Sequence, residues 1–149
     1  MTDPSLEPIP DEVLVETRGG LGIVTLNRPR ALNALSLGMI RALDAALIGF
    51  ARNDAIGAVV IRGAGEKAFC AGGDVRALVV APAGIDKAQL ARDFFAEEYR
   101  LNLRIHNFPK PFVALIDGVT MGGGCGLSLH SNLVVATERT MVEIGRAHV

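Results

Sequence analysis

Hydrophobic and polar positions along the 149-residue chain alternate between two periods, and the switching predicts the order of elements. Val13–Thr17 sets Val13, Val15 and Thr17 against Leu14 and Glu16, Gly19 and Gly20 follow, and Leu21–Leu26 is a second strand pattern, so the pair reads as a β-hairpin with a glycine turn. After Ser36, a plausible N-cap, Met39, Ile40, Leu43, Leu47 and Phe50 recur at helical spacing and predict an amphipathic helix to about Ala51. Ala58–Ile61 is a short β-branched run, which reads as a buried strand. Gly63–Gly73 reads as a glycine-rich loop, and Asp74 as the cap of a short helix over Val75–Val80 that Pro82 and Gly84 break. Lys87–His106 carries a long helical pattern with Leu90, Phe94, Phe95, Leu101 and Ile105 as core candidates. Phe112–Ile116 is a further buried strand, Gly118–Gly126 a second glycine-rich loop, Leu127–His130 the start of a helix, and Leu133–Ala136 a last strand. Short buried strands alternating with helices are the signature of an α/β fold. No internal repeat is evident in the residues.

Composition narrows what such a fold does. Half of the residues are hydrophobic and 21% are charged, enough apolar surface for a packed core. The formal net charge is -1, so no general basic field draws nucleic acid, and an anionic ligand needs local basic side chains or backbone N–H groups. No apolar run approaches the roughly 20 residues of a membrane span, so no membrane partner is expected. Met1–Asp11 is acidic, carries three prolines and reads as a disordered lead-in without the character of a signal or transit peptide. Cys70 and Cys125 form no CxxC, which argues against a disulfide framework or a zinc site; a reducing cytoplasm is the expected location.

Candidate chemistry concentrates in two loops. Lys67-Ala68-Phe69-Cys70-Ala71-Gly72-Gly73-Asp74 and Asp117-Gly118-Val119-Thr120-Met121-Gly122-Gly123-Gly124-Cys125-Gly126 each follow a strand and precede a helix. Glycines in that position admit a ligand to the backbone and leave N–H groups free. Two such loops can aim two donors at one oxygen, as an oxyanion hole requires. Taken singly, either loop reads equally as a tight turn. Gly63-Ala64-Gly65-Glu66-Lys67-Ala68 also fits a GxGxxA dinucleotide fingerprint, but more loop follows it where a helix should open. Cys125 and Ser128 lie near His130 without a GxSxG elbow, which leaves a nucleophile reading without local support; His106 reads as a residue at a helix C-terminus.

Four segments in order carry a resemblance: Leu26-Asn27-Arg28-Pro29-Arg30-Ala31-Leu32-Asn33-Ala34-Leu35, Phe69–Asp74, Lys110–Gly118 and Gly122–Gly124. From about Val13 to Val142 the chain resembles the crotonase (enoyl-CoA hydratase/isomerase) superfamily. Within it, Phe94–Asn102, Gly124–His130 and Val135–Thr140 are most similar to the 3-hydroxyisobutyryl-CoA hydrolase subgroup. Typical hydratases carry a catalytic glutamate at the place of Gly126. The resemblance implies a crotonase-like spiral of ββα units, here its N-terminal portion, and thioester hydrolysis on an acyl-CoA. It implies an oxyanion hole from the N–H groups of Gly73 and Gly123, with Arg30, Ala31 and Ala71 along the CoA moiety and Glu98 toward the hydroxyl end of the acyl group. No separate cofactor is expected, since CoA is part of the substrate, and the intact enzyme is expected to form a homo-oligomer. On the residues alone, Glu98 reads as part of a solvated charged face with Glu97 and Arg100, and Asp74 as a helix cap rather than a catalyst. The resemblance covers residues 12–142 as one partial acyl-CoA-binding domain. Glu143–Val149 does not resemble the family and reads as a non-native tail, so Glu143 is not taken for the subgroup's principal carboxylate and the chain as written is expected to be inactive.

Overall fold

In a computed structural model, residues 11–144 are described; the lead-in residues 1–10 and the tail residues 145–149 lie outside them. The hairpin forms as the pattern predicts. Strands β1 (Val13–Arg18) and β2 (Leu21–Leu26) pair antiparallel, Val13 opposite Leu26, around the turn at Gly19 and Gly20. Strands β3 (Ala58–Gly63), β5 (Phe112–Ile116) and β7 (Leu133–Ala136) then add in parallel, giving a five-stranded sheet in the order β1-β2-β3-β5-β7. Parallel strands covered on both faces read as continuous apolar runs, and residues 22–26 of β2 are all buried.

A second sheet was not legible in the residues. Strands β4 (Ala68–Cys70), β6 (Val119–Met121) and β8 (Met141–Glu143) lie parallel in the order β4-β6-β8. Each is three residues long, below the length at which period 2 stands out, and β4 and β6 fall inside segments that read as glycine loops. The chain therefore climbs in repeated steps. β3 and β4, β5 and β6, and β7 and β8 each send their first strand to the large sheet and their second to the small one. This is a structural repeat without a sequence repeat. Glu143, assigned to the tail, lies in β8 opposite Met121.

Helix α1 (Leu37–Arg52) starts where Ser36 caps it, the side chain accepting from the Met39 N–H at 3.1 Å, and it buries Met39, Ile40, Leu43, Leu47 and Phe50 as predicted. The short α2 (Val75–Val79) is capped by Asp74, which accepts from the Ala77 N–H. α3 spans Lys87–His106 with Asp86 as its cap. Two core assignments on α3 need correction. Phe95 is exposed and Leu90 half-buried, while Phe94, Glu98, Leu101 and Ile105 form the inward stripe. The last helix also begins four residues earlier than predicted: α4 is Gly123–Ser128, so Gly123 is its first residue and not part of a loop. Successive glycines lowered its helical signature, and packing decided against their propensity.

The core lies where α1 and α3 meet the large sheet, with Phe69, Phe94 and Phe112 among its largest fully buried side chains. Ion pairs bind α1 to α3 at the rim: Arg41 donates to both oxygens of Glu97 at 2.8 Å, and Arg104 pairs with Asp44 at 2.5 Å. The turn from β7 into β8 is tied back to β5 through Asp117, which accepts from Arg139 at 2.7 Å and from the Thr137 hydroxyl at 2.6 Å. Arg139 first, and then Thr137, hold the Asp117 carboxyl at about 2, well below the usual carboxylate range. Among the described residues, no helix is long and apolar enough to cross a membrane.

Candidate active site

The two glycine loops meet. Gly73 follows β4, held by a bridge in which the Leu35 N–H donates to the Gly72 carbonyl and the Asp74 N–H to the Leu35 carbonyl, both at 2.8 Å. That arrangement uses the amides on either side of Gly73 and leaves its own N–H facing away. Gly123 opens α4, where the first N–H groups of a helix have no internal acceptor. Among the described residues, neither the Gly73 nor the Gly123 N–H donates a hydrogen bond. The glycine before each has positive φ, +107° at Gly72 and +53° at Gly122, a turn that other residues rarely adopt.

Their mutual position is close. A methyl group on Gly123 would lie 3.5 Å from the Gly73 nitrogen and 3.3 Å from Leu35 Cδ1, and would press on Glu98 Oε1. A methyl group on Gly73 would meet the Phe94 ring at 3.0 Å, so Phe94 backs this glycine. Gly73, Gly123 and the Glu98 carboxylate therefore surround one point.

Glu98 is not on the solvated face. It is 8% exposed and holds the inward position one turn after Phe94. Glu97 is the member of the pair that turns outward, to Arg41. The i, i+4 relation of Glu98 to Phe94 was the available signal; the neighbouring charges concealed it. Burial pushes the Glu98 carboxyl up from the usual range. The site thus combines two backbone donors, suited to a developing oxyanion, with a carboxyl group poised to carry a proton.

Arg30, Ala31 and Ala71 are not among the groups that close on Gly73 and Gly123. Arg30 sits on a 3-10 turn, Pro29–Ala31, and is exposed, as is Ala31. A cleft of about 260 Å³ is lined by Pro29, Arg30, Gly65, Glu66 and Lys67. Ala71 does not line it, but its N–H donates to the Leu32 carbonyl at 3.0 Å and joins this turn to the Gly73 loop. Asn33 organises the whole arrangement, a role the residues alone did not reveal. Fully buried at φ +54°, it accepts from the Arg28 N–H at 2.9 Å and donates to the Ala64 and Ala68 carbonyls at 3.0 and 2.9 Å. Asparagine is among the few residues that tolerate this backbone conformation, which was the signal. Two further clefts, of about 170 and 260 Å³, flank α1 and α3 around Arg100 and touch neither glycine loop.

The rival readings fail on geometry. Ala68 of the GxGxxA stretch opens β4, not a helix, so that stretch offers no helix N-terminus to a pyrophosphate. The Ser128 hydroxyl donates to the Gly124 carbonyl at 2.8 Å, and the Cys125 thiol contacts the Thr120 and Glu143 carbonyls, while His130 is exposed and stacks edge-on with His106. Burial pushes the Cys70 thiol up to about 12 and raises that of Cys125, so neither is a thiolate at neutral pH. Among the described residues, no cluster of His, Cys, Asp or Glu is arranged to hold a metal.

A family model described as "Enoyl-CoA hydratase/isomerase" matches residues 21–145. The chain is 52% identical over 130 residues to "3-hydroxyisobutyryl-CoA hydrolase, mitochondrial" of Gallus gallus, which covers 87% of the chain and 33% of that protein. It is 49% identical over 131 residues to the protein of the same name in Homo sapiens, covering 88% and 33%. The chain thus spans about a third of the length of these relatives. Among solved structures, a carnitinyl-CoA dehydratase from Mycobacterium thermoresistibile superposes with a TM-score of 0.81 at 43% identity, covering 89% of the chain and 38% of that structure. An enoyl-CoA hydratase from Rhodobacter sphaeroides superposes with a TM-score of 0.82 at 41% identity, covering 89% and 39%. The relatives' names overturn the cytoplasmic expectation, since the hydrolases are described as mitochondrial. Two buried free cysteines do not by themselves separate one cellular compartment from another.

Proposed function

Because the chain belongs to the enoyl-CoA hydratase/isomerase family, we propose that the protein it represents hydrolyses a hydroxyacyl-CoA thioester, 3-hydroxyisobutyryl-CoA in the first instance, in the compartment of its mitochondrial relatives. The observation that carries this reading is the convergence of Gly73, Gly123 and Glu98 on one point. The Gly73 and Gly123 N–H groups receive the thioester oxygen as negative charge develops on it. Glu98, its carboxyl raised by burial, faces the acyl group and is suited to exchange a proton with it. Arg30 and Lys67 at the neighbouring cleft supply local positive charge for the CoA phosphates, which a chain of net charge -1 does not offer globally. CoA enters as part of the substrate, and no other cofactor has a role in this scheme. Hydrolysis of valine-derived hydroxyacyl thioesters is the step this reading assigns.

A hydratase is the second reading, favoured by the solved neighbours at 41–43% identity. Gly126 weighs against it. At the place where hydratases carry a catalytic glutamate this chain has no side chain, and a methyl group there would meet Asn102 Nδ2 at 2.6 Å. A thiol-release assay on the complete protein decides between the two. Release of free CoA from 3-hydroxyisobutyryl-CoA, without hydration of crotonyl-CoA, is expected; hydration without thiol release would overturn the hydrolase reading. The 149-residue chain alone is expected to bind the thioester without cleaving it.

A further inference from the structure

Helices α3 and α4 approach each other along two matched stripes. On α3, Glu98 and Asn102 stand one turn apart on the same face; on α4, Gly123 and Gly126 stand three residues apart on the facing side. Glu98 reaches Gly123, and Asn102 reaches Gly126. The absence of side chains on the α4 stripe is what lets polar groups of α3 enter the space between the helices.

Glu98 already has a part in the proposed chemistry, but Asn102 does not. Its Oδ1 is sealed from solvent and has no hydrogen-bond partner. A buried amide oxygen without a donor is destabilising until something supplies one. Two other side-chain oxygens share that state among the described residues, Thr120 Oγ1 and Ser131 Oγ. Neither belongs to the Glu98 stripe: Thr120 lies within β6, beneath α4, and Ser131 in the turn after it.

We propose that Asn102 is a specificity-determining residue, its Oδ1 accepting a hydrogen bond from the hydroxyl of a hydroxyacyl thioester. The inference rests on the thioester reading above and names which group of the acyl chain is recognised. The chemistry of the stripe selects for a donor. An apolar acyl group leaves Oδ1 unpaired, and a second carboxylate meets both the Oδ1 lone pairs and Glu98. Only a group bearing an O–H or N–H satisfies the amide. Spacing agrees with a hydroxyl on the second carbon beyond the thioester carbon. One turn of α3, about 5.4 Å, separates Asn102 from the Glu98 level, and such a hydroxyl with its hydrogen bond of about 2.8 Å covers that reach.

The test is a calorimetric titration of the 149-residue chain with three probes: 3-hydroxyisobutyryl-CoA, isobutyryl-CoA and CoA. Sites that hydrogen-bond a substrate hydroxyl discriminate against the analogue lacking it, so the hydroxylated thioester is expected to bind at least about tenfold tighter than isobutyryl-CoA. Asn102→Leu keeps the γ-branched shape against Gly126 and removes the acceptor. It is expected to bring the two thioesters within about twofold of each other while binding isobutyryl-CoA as the parent does. Equal binding of both thioesters by the parent chain overturns the inference and leaves the thioester reading standing, and it needs no variant to fold. A preference that survives in Asn102→Leu, checked as folded by circular dichroism, also overturns it. Failure of the parent chain to bind any of the three CoA compounds overturns the thioester reading and the inference together.

Discussion

At the scale of single residues, the site depends on where side chains are missing as much as on where they are present. Glu98 Oε1 and the Gly73 nitrogen both border the space a side chain on Gly123 would occupy. In Gly123→Ala the new methyl displaces the carboxylate or shifts the backbone donors. Loss of about 10²-fold in kcat is expected for the complete protein, the scale of losing one oxyanion donor, with the far-ultraviolet circular dichroism unchanged. Glu98 makes the opposite point, since its burial is a cost. Its carboxyl is raised in the folded protein, so the folded state holds the proton to higher pH than the unfolded chain does. Stability therefore falls as pH rises out of the ordinary carboxylate range and through the folded value. Glu98→Gln removes that dependence. The variant is expected to melt higher than the parent at pH 7.5 and to differ little from it at pH 4, with thioester cleavage impaired. Thermal melts at the two pH values check the sign, and a lower melting temperature at pH 7.5 would refute it.

Elements were legible in proportion to their length and to how completely one face is buried. The α1 pattern was clear because five residues at helical spacing are all inward and a serine stands at its start. Ser36 does two jobs, accepting from the Met39 N–H and donating to Glu12 at 2.6 Å, so it also fastens the segment before β1. Ser36→Ala is expected to cost about 1 kcal/mol, the usual value of an N-cap, read as a lower urea midpoint with unchanged slope. On α3 the same periodic reasoning placed the ends correctly and misassigned the face between Leu90 and Phe95, because Phe94 and Phe95 are adjacent and only packing selects one. The small sheet escaped detection for a different reason. β4, β6 and β8 are stabilised by one another across about 20 to 50 residues of chain, and nothing local marks them.

For the molecule as a whole, the repeated step from the large sheet to the small one brings the residues after β4 beside those after β6, which is how two loops some 50 residues apart share a site. Among the described residues, the same stacking leaves an edge on each sheet at the end of the last step. β7 closes the large sheet and β8 the small one, and Leu133, Val135, Met141 and Val142 on them are 40–65% exposed. Open parallel edges with apolar side chains invite association. The 149-residue chain is expected to self-associate in proportion to concentration, and Leu133→Lys with Met141→Lys to reduce its light scattering. Unchanged scattering in that double variant would show that the edges are not responsible.

What the residues determined by themselves was the order and type of the long elements, the caps at Ser36 and Asp74, the core face of α1, and the two glycine segments as the candidate site. Those properties are local: periodicity, capping and backbone freedom act over a few residues, and a motif of consecutive positions carries its own resemblance. Tertiary structure decided the rest. It turned Glu98 inward and Glu97 outward, set Gly123 at the start of a helix, buried Asn33 beneath the turn bearing Arg30, and put Asn102 against Gly126. Each of these depends on which distant surface packs against the residue, and no short window of sequence contains that surface.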